Sequence, residues 1–339
     1  MNAAADRGRI RLAHGAGGPA MRELIRSVFL DQVTDGEALA LGDGAAIPFG
    51  ERWLVLTADA HVVAPLFFPG GDIGRLAVCG VVNDLAVMGA CDALALTSSV
   101  IVEEGFEIEG LARIQASMRA ACAEAGTRIL TGDTKVMHRG EIDGVVLATS
   151  GLGITDRIVR DSGLQSGDAI VVTGTLGDHG LAVLSARHGL GLEGELRSDV
   201  APLNGLVRAA LRATGDELHA MKDPTRGGVT SALVEMAEKA GVGIVLDEAA
   251  LPLSAPGRAA AELLGIDPLS VANEGKVLIG VHPGALEALL AVLRLHPLGT
   301  RAACIGRVTD GPAGRVLLDT GFGSRRLVER DDVPLPRIC

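Results

Sequence analysis

The chain has 339 residues, a length that suits two domains of ordinary size. Hydrophobic residues make up 48% of the sequence, which excludes an intrinsically disordered protein and allows sizeable cores. The net charge of −11 argues against general binding to nucleic acid or to anionic membranes. It does not argue against a nucleotide, because metal ions and helix N-termini hold phosphates on acidic proteins.

The cysteines and the first residues favour a cytoplasmic protein. None of the five cysteines forms a CxxC pair and their number is odd, a pattern typical of a reducing compartment. The first residues include Asp6, Arg7 and Arg9 and have no apolar signal region. No apolar run approaches the roughly 18–20 residues that cross a membrane, so we expect no membrane-spanning helix.

Residues 1–40 are polar and contain a glycine-rich loop at 14–18, before a short predicted helix around 21–29. Such loops close over phosphates in some proteins but are more often flexible, and the residues alone favour flexibility. A strand is predicted at 53–57. Asp59 follows it, and Asp43 lies upstream between two glycines.

Residues 73–88 form a predicted helix with Asp72 as its N-cap. The segment is apolar on nearly every face, so we expect the helix to be buried. Asp84 lies near its middle, and a buried carboxylate without a partner is costly. A divalent cation would serve as that partner, and the alternative is a structural ion pair with an arginine.

The rest of the chain is predicted as two α/β units. The first unit continues with strand 93–103, helix 110–126, short strand 128–131 and strand 143–154. Its Gly132-Asp133-Thr134-Lys135 segment is predicted as a turn that presents an acid, a hydroxyl and an ammonium group together. The second unit, residues 167–320, has predicted strands at 169–173, 244–246, 277–281, 303–308 and 316–318 and helices near 202–213, 228–240 and 283–295.

Four aspartates stand beside glycines or at the ends of predicted elements: Asp43, Asp59, Asp84 and Asp223. Carboxylates from separate segments are what Mg²⁺ requires when it also holds the phosphates of a nucleotide. Each aspartate alone has the alternative reading of a cap or a solvated turn residue.

Two further segments carry polar groups next to glycine. In Asp223-Pro224-Thr225-Arg226-Gly227-Gly228 the glycines expose N–H groups at a helix start, where Arg226 would add a contact to phosphate. In Asn273-Glu274-Gly275-Lys276, Glu274 is a candidate general base, and a plain polar turn is the alternative. The sequence has no GxxxxGK[ST] or GxGxxG motif, so a nucleotide site needs a different architecture.

The final residues, Pro334-Leu335-Pro336-Arg337-Ile338-Cys339, present a thiol on a segment that two prolines keep extended. Ten steps separate Glu329 from Cys339, so the sulfur would reach about 33–36 Å from its anchor. This reach would let one sulfur visit a site in its own body and a site on another protein. An accidental cysteine on a frayed end is the alternative.

Five segments closely resemble the HypE family of NiFe-hydrogenase maturation factors, in the PurM-like (AIR synthase-like) superfamily. They are residues 64–74 (APLFFPGGDIG), 82–86 (VNDLA), 131–136 (TGDTKV), 223–228 (DPTRGG) and 336–339 (PRIC). The resemblance covers essentially the whole chain. The central motifs are shared more loosely with selenophosphate synthetase, thiamine-monophosphate kinase and AIR synthetase, whereas the terminal motif is specific to the HypE family.

The resemblance implies a two-domain α/β (α+β) PurM-like fold. Residues 1–40 would be an N-terminal segment with a glycine-rich loop and 41–155 a mixed-sheet domain that binds ATP and Mg²⁺. The strands of this domain would pair with those of a second copy, in a homodimer with a barrel-like core. Residues 156–325 would be a C-terminal α/β domain, and 326–339 a flexible tail ending in the reactive cysteine.

The resemblance also implies a reaction. A HypF carbamoyltransferase would place a carbamoyl group on Cys339, and the chain would dehydrate this S-carboxamide to an S-cyanate with ATP. The cyano group would pass to iron on a HypC–HypD complex, as the source of the cyanide ligands. Losing water from an amide needs an activated oxygen and a base.

The family's site residues carry over by motif. Mg²⁺ would be held by Asp43, Asp59, Asp84 and Asp223. The nucleotide would also meet Arg226 and the segment Gly132-Asp133-Thr134-Lys135. Lys135 would contact the γ-phosphate or the activated oxygen, Glu274 would be the base and Cys339 the carrier. Gly44 stands where many superfamily members have a second acid, which leaves the metal count open.

Two other functions stay open at this point. The chain would be a small-molecule kinase or ligase of the same superfamily if the tail had no role in turnover. It would be a non-catalytic thiol carrier if its nucleotide cleft were degenerate, although the Thr-Gly-Asp-Thr-Lys segment speaks against that reading.

Overall fold

The computed structural model of the protein describes residues 9–31, 40–192, 195–327, 329 and 338–339. Its α-helices are Pro19–Leu24 (α1), Ile73–Val87 (α2), Ile108–Ala125 (α3), Asp178–His188 (α4), Asn204–Thr214 (α5), Gly228–Ala240 (α6), Ala255–Leu264 (α7) and Leu286–Leu295 (α8). Its strands are Ala45–Phe49 (β1), Arg52–His61 (β2), Phe67–Phe68 (β3), Gly71–Asp72 (β4), Asp92–Glu103 (β5), Ile129–Met137 (β6), Val145–Thr155 (β7), Ala169–Val172 (β8), Leu218–Lys222 (β9), Gly243–Asp247 (β10), Leu278–Val281 (β11), Ala303–Thr309 (β12), Arg315–Asp319 (β13) and Ser324–Leu327 (β14). Within these residues, no helix is both long and apolar enough to cross a bilayer.

The first domain is built on a five-stranded sheet in the order β1-β2-β7-β5-β6. Neighbouring strands are antiparallel except β5 and β6, which run parallel and are joined by α3. Strand β7 alternates buried and half-buried residues along its whole length, so one face of the sheet is covered. Helices α2 and α3 pack together over the apolar core of that covered face.

The second domain has a seven-stranded mixed sheet in the order β14-β13-β10-β12-β8-β11-β9. Its neighbouring strands β8 and β11, both inside the sheet, are buried at every position. Helix α6 contributes Val229, Leu233 and Met236 to one core of this domain. Helices α5 and α8 supply a second core. The sheet is thus covered by helices, as expected for strands that are apolar throughout.

Helix α2 confirms the prediction of a buried helix capped by Asp72. The Asp72 carboxylate accepts the N–H groups of Gly74 and Arg75. The helix is apolar all round because it lies between the two domains: Leu76 and Val81 belong to the first core, and Val87 belongs to a core of the second.

Asn83 ties α2 to the second domain. Its side-chain amide donates to the carbonyls of Ala201 and Glu274 and accepts the N–H of Leu203 at 2.8 Å. All three bonds are buried, so the polar middle of this helix sets how the domains meet.

The prediction of a turn at residues 132–135 is wrong. The strand expected to end at Thr131 runs on to Met137, and its partner β5 pairs with it residue by residue, with Ser98 opposite Gly132 and Ile101 opposite Lys135. Glycine, aspartate and threonine are typical turn residues, but here a parallel ladder satisfies their backbone groups. Residues 330–337 of the predicted flexible tail lie outside the described residues, whereas Ile338 and Cys339 lie against the body of the protein.

Candidate active-site cavity between the domains

A cavity of about 220 Å³ lies where the two domains meet, and it gathers most of the predicted site residues. One wall comes from the start of the first sheet and from helix α2. The other comes from the segments after β9 and before β11. Lining residues with functional side chains are Asp43, Thr57, Asp59, His61, Asp84, Asp223, Thr225, Arg226, Glu274 and Cys339.

The first-domain wall is acidic because strand β2 and helix α2 turn carboxylates towards each other. The Thr57 hydroxyl lies 2.7 Å from Asp84 Oδ2 and 2.9 Å from the Asp43 carbonyl, so it bridges the two segments. Asp59, two residues further along the same face of β2, lies 3.2 Å from His61 Nε2. Gly80 of α2 keeps this corner open, since a Cβ there would lie 2.9 Å from His61 Nε2.

The electrostatics of the cavity favour a cation. Burial raises the pKa of Asp84 well above its usual range, and the carboxylates of Asp223, Asp43 and Asp59 raise it further. Burial and Asp43 likewise raise the pKa of Asp223, against the opposing effect of Lys222. Within the described residues Asp84 accepts a hydrogen bond from Thr57 and forms no ion pair with an arginine, the alternative that the sequence left open.

Lys222, which lines the neighbouring larger cavity, is a buried cation beside these carboxylates. Burial alone would lower its pKa, but Asp43, Glu235 and Asp161 outweigh burial and raise it. Its ammonium group pairs with Asp43, so this ion pair joins the second domain to the first. Lys222 therefore balances one carboxylate, and the remaining carboxylates still repel one another.

Glu274 lies on the second-domain wall, and hydrogen bonds to its main chain fix its position. Its N–H donates to Asp199 at 3.0 Å, and Asp199 is itself fixed by a buried ion pair with Lys276 at 2.9 Å. Its side-chain Oε1 is buried and has no hydrogen-bond partner within the described chain. Burial raises the pKa of Glu274 well above its usual range, and Asp223 and Asp59 add to the shift.

Arg226 connects this cavity to a second one of about 390 Å³. Both cavities are lined by Asp43, Asp223 and Arg226, and the larger one is also lined by Gly17 of the glycine-rich loop. A Cβ at Gly17 would lie 2.8 Å from the Cβ of Arg226, so the loop lies directly on this arginine. The loop, for which flexibility was favoured, thus faces the start of helix α6, where N–H groups attract phosphate.

Cys339 lines the smaller cavity, and Ile338 is buried in an apolar cluster with Leu184 and Ala272. The Ile338 side chain is 4% exposed, and its carbonyl lies 2.8 Å from His179 Nε2. Cys339 lines the same cavity as Glu274 and Arg226. Burial and Glu274 raise the pKa of the Cys339 thiol, so in this position it keeps its proton.

The Thr-Gly-Asp-Thr-Lys segment is the part of the predicted site that the cavity does not contain. Lys135 and Asp133 form an ion pair at 3.0 Å, and their side chains are 67% and 61% exposed. Both project from edge strand β6, on the face that carries Ser99 and Ile101 of the neighbouring strand. Within one copy of the chain, Gly132, Asp133, Thr134 and Lys135 therefore lie outside the cavity that contains the carboxylates.

Sequence reasoning missed three residues of the site. Lys222 directly precedes Asp223, but its ion-pair partner Asp43 is 179 residues away in sequence and no local pattern indicates the pair. His61 follows the acidic end of β2 and is 2% exposed, with no partner for Nδ1 in the described residues. His179 lies in a glycine-rich segment at the start of α4 that gave no signal of its contact with the tail.

The donor set fits Mg²⁺ shared with phosphates. No group of three or more histidine, cysteine, aspartate or glutamate side chains converges as a ready metal site in the described parts of the chain. The cavity does offer oxygen donors, and Mg²⁺ is usually held by one or two carboxylates together with phosphate oxygens and water. Gly44 has no room for the second acid of other superfamily members, since its Cβ would lie 2.8 Å from the Leu56 carbonyl oxygen.

Comparison with known proteins matches both domains. The family described as AIR synthase related protein, N-terminal domain, matches residues 41–155, and the corresponding C-terminal domain matches residues 165–319. A carbamoyl dehydratase HypE of Rhizobium leguminosarum bv. viciae is 46% identical over 98% of this chain and 95% of its own length.

Two solved structures are similar over nearly the whole chain. A chain in a crystal structure of a HypE–HypF complex has a TM-score of 0.85 and 42% identity, covering 91% of this chain and 99% of its own. A hydrogenase maturation protein HypE in complex with ATP has a TM-score of 0.81 and 39% identity, covering 98% of this chain and 100% of its own. With the identities and coverage of these relatives, the chain belongs to the HypE family of hydrogenase maturation proteins, several of whose members are named carbamoyl dehydratases.

Proposed function

We propose that this chain is an ATP-dependent carbamoyl dehydratase that converts an S-carboxamide on its own Cys339 to an S-cyanate. The observation that carries the proposal is the position of Cys339. It lies in the interdomain cavity with a glutamate, an arginine and the aspartates suited to Mg²⁺. The curated relatives bear the name of this activity, and one relative was crystallised with ATP.

The reaction removes one oxygen and two protons from the carboxamide while the sulfur–carbon bond stays intact. When bound, MgATP supplies the phosphoryl group that makes the amide oxygen a leaving group. The oxygen departs in inorganic phosphate, and the carbon–nitrogen bond becomes triple as both N–H protons leave. The residues of the chain must therefore hold the amide, neutralise developing charge and accept protons.

Glu274 is suited to accept a proton from the amide nitrogen. Its Oε1 is buried without a hydrogen-bond partner in the described chain, and it lines the same cavity as Cys339. Neutralising Asp223 and Asp59 would remove their part of the raised pKa and let Glu274 ionise, while burial would keep its pKa above the ordinary value and so make the carboxylate a stronger base. Arg226 lies on the boundary of the two cavities, where it would stabilise charge on the transferred phosphate.

Asp59, Asp84 and Asp223 would hold Mg²⁺, with Asp43 at the margin because it pairs with Lys222. Their mutual repulsion, recorded in the raised pKa of Asp84 and Asp223, is what a divalent cation would relieve. The larger cavity beside Gly17 and Arg226 would then take the nucleotide.

A homodimer would complete the site. The exposed face of the first sheet carries Ile47 at 48% and Leu56 at 43% exposure, and Lys135 projects from the same face. Exposed apolar residues that share a sheet face are typical of an interaction surface. A second copy packed there would bring its Lys135 towards the nucleotide, where the family pattern places this lysine.

We also propose the partners and place implied by the family. A HypF-type carbamoyltransferase would load Cys339, since a relative forms a HypE–HypF complex. A HypC–HypD complex would accept the cyano group. A cytoplasmic location remains a prediction from the cysteine pattern.

Intact mass spectrometry tests the proposal. The protein is incubated with the carbamoyl donor system and then with MgATP, and the peptide that contains Cys339 is weighed at each step. We expect the peptide to gain one carbamoyl group and then to lose the mass of one water. A stable carbamoyl adduct under MgATP would reject the dehydratase and favour a passive carrier. A peptide that never changes would favour an enzyme acting on a small molecule.

A further inference from the structure

His179 makes a main-chain contact that the proposed chemistry does not use. The side chain is fully buried near the start of helix α4, and both ring nitrogens have partners. Nδ1 lies 2.8 Å from Ser198 Oγ, and Nε2 lies 2.8 Å from the carbonyl oxygen of Ile338. A histidine of the body thus holds the peptide group next to the reactive cysteine.

The neighbours of the ring determine its protonation. A carbonyl oxygen only accepts, so Nε2 must donate to Ile338. Ser198 Oγ accepts the N–H of Val200 at 3.1 Å, which leaves its own hydrogen to donate to Nδ1. Burial lowers the pKa of His179, in agreement with a neutral ring that carries its proton on Nε2.

Further contacts fix the ring and the tail at the same place. Phe68 meets the His179 ring edge to face, with centroids 5.4 Å apart. The Ile338 side chain is buried against Leu184 and Ala272. The N–H of Val62 points to the Cys339 carbonyl at 3.4 Å. We call these contacts of the body with Ile338 and with the main chain of Cys339 the seat of the tail. None of them involves the sulfur, so none depends on whether the thiol is free, carbamoylated or cyanated.

We propose that His179 is a positioning residue that holds the tail in the cavity for dehydration by donating from Nε2 to the Ile338 carbonyl. This inference rests on the proposed function, in which one sulfur meets a carbamoyl donor and then a nucleotide. Weakening the seat shifts the tail away from the cavity without altering any group that touches the amide.

The test uses three variants of the full chain. His179→Phe keeps a ring against Phe68 but removes the donor. His179→Gln retains a side-chain N–H that can reach the carbonyl, and it is the rescue variant. Ile338→Ala leaves the body untouched and removes the apolar anchor of the tail.

The first readout is alkylation of Cys339 by iodoacetamide in the free protein, followed by peptide mass spectrometry. Cys304, half-buried in the second domain, is the internal control. Loss of one hydrogen bond should speed alkylation of Cys339 by about three- to tenfold in His179→Phe, with Cys304 unchanged. His179→Gln should react close to the parent rate, and Ile338→Ala should react faster than the parent.

The second readout separates the two steps of the reaction. In His179→Phe we expect carbamoyl uptake to be unimpaired and conversion to cyanate to slow by about the same three- to tenfold. A structural role would instead lower both steps together, and it would expose Cys304 as well as Cys339.

The outcomes are distinguishable. An unchanged Cys339 alkylation rate in His179→Phe, or an equal rise at Cys304, overturns the proposal. Should that variant fail to fold, Ser198→Ala carries the test: a rise of about twofold at Cys339 supports the seat, and no rise overturns it. If the parent never dehydrates its carboxamide, the proposed function fails, while the alkylation result still decides whether His179 holds the tail.

Discussion

The interdomain cavity and edge strand β6 both carry residues expected to act on the nucleotide, but their surroundings differ. In the cavity, Asp84, Asp223 and Glu274 line one space, burial raises the pKa of all three, and Asp223 adds to the shift at Asp84 and at Glu274. On the edge strand, Lys135 and Asp133 are mostly exposed and pair with each other. Exposed ion pairs of this kind add little to stability.

This difference shows which half of the proposed site a single chain can build. The cavity brings together the proposed carrier thiol, the proposed base and the carboxylates proposed to bind the metal. The lysine is displayed outward on a sheet face with exposed apolar neighbours. We therefore expect the cavity to bind ligands in each copy, and catalysis to require a second copy.

Replacing the carrier thiol should have the largest effect. We expect Cys339→Ala to abolish cyanate formation, because no other described cysteine lines the cavity. ATP binding, measured by calorimetry, should be retained, since the aspartates and Arg226 are untouched. Normal cyanate formation in this variant would break the link between the cavity and the tail.

Lys135→Ala should slow dehydration by about 100- to 1,000-fold, the usual cost of losing one group that stabilises developing charge. Arg139→Ala, an exposed cation just beyond the same strand, is the matched control and should be near normal. Mixing Lys135→Ala chains with Cys339→Ala chains sharpens the comparison. A mixed dimer pairs an intact thiol with the other copy's lysine.

Recovery of cyanate formation in that mixture would show that the lysine acts across the dimer. If cyanate formation needs the intact lysine and the intact thiol in the same copy, the mixture stays inactive and Lys135 acts within its own chain. The proposed division between cavity and edge would then be wrong.

Asp84→Asn should weaken MgATP binding by at least about tenfold, because it removes a carboxylate from the proposed metal site. Thr57 can still donate to the amide oxygen at this position, so the fold should persist. Asp156→Asn, an exposed aspartate far from the cavity, is the control. Equal MgATP affinity in both variants, measured by calorimetry, would exclude Asp84 from the metal site.

The smallest expected effect is on stability. The pKa of Asp84 is higher in the folded protein than in the unfolded chain, where it is about 4. At pH values between these two pKa values, the folded state therefore binds more protons than the unfolded state. Stability of the metal-free protein should therefore fall as the pH rises through this window. Asp84→Asn should reduce that slope and raise the free energy of unfolding at neutral pH by about 1–2 kcal/mol. Denaturant unfolding at several pH values checks this, and a variant less stable than the parent at neutral pH would contradict it.

Local chemistry explains which parts were predictable from sequence. Asp72 caps helix α2 as expected, and α6 begins at Gly228, the second glycine of its pair, with Gly227 as the N-cap. Asp84 was recognisable as a carboxylate in the middle of an apolar helix, and Asp43 by its flanking glycines, and the fold brings both to one cavity with Asp59 and Asp223.

The failures concern contacts between distant segments. The pairing of β5 with β6 overrode the turn propensity of residues 132–135, because a strand register depends on the partner as much as on the residues themselves. His179 and Ile338 are 159 residues apart in sequence, so no local pattern could indicate their hydrogen bond.

The most direct test of the central claim follows the oxygen of the carbamoyl group. Cys339 is loaded with a carboxamide that carries a heavy oxygen isotope, MgATP is added, and the inorganic phosphate is analysed by mass spectrometry. If ATP activates the amide oxygen inside the cavity, one labelled oxygen should appear in phosphate for each cyanate formed. Unlabelled phosphate accompanied by labelled water would contradict this mechanism.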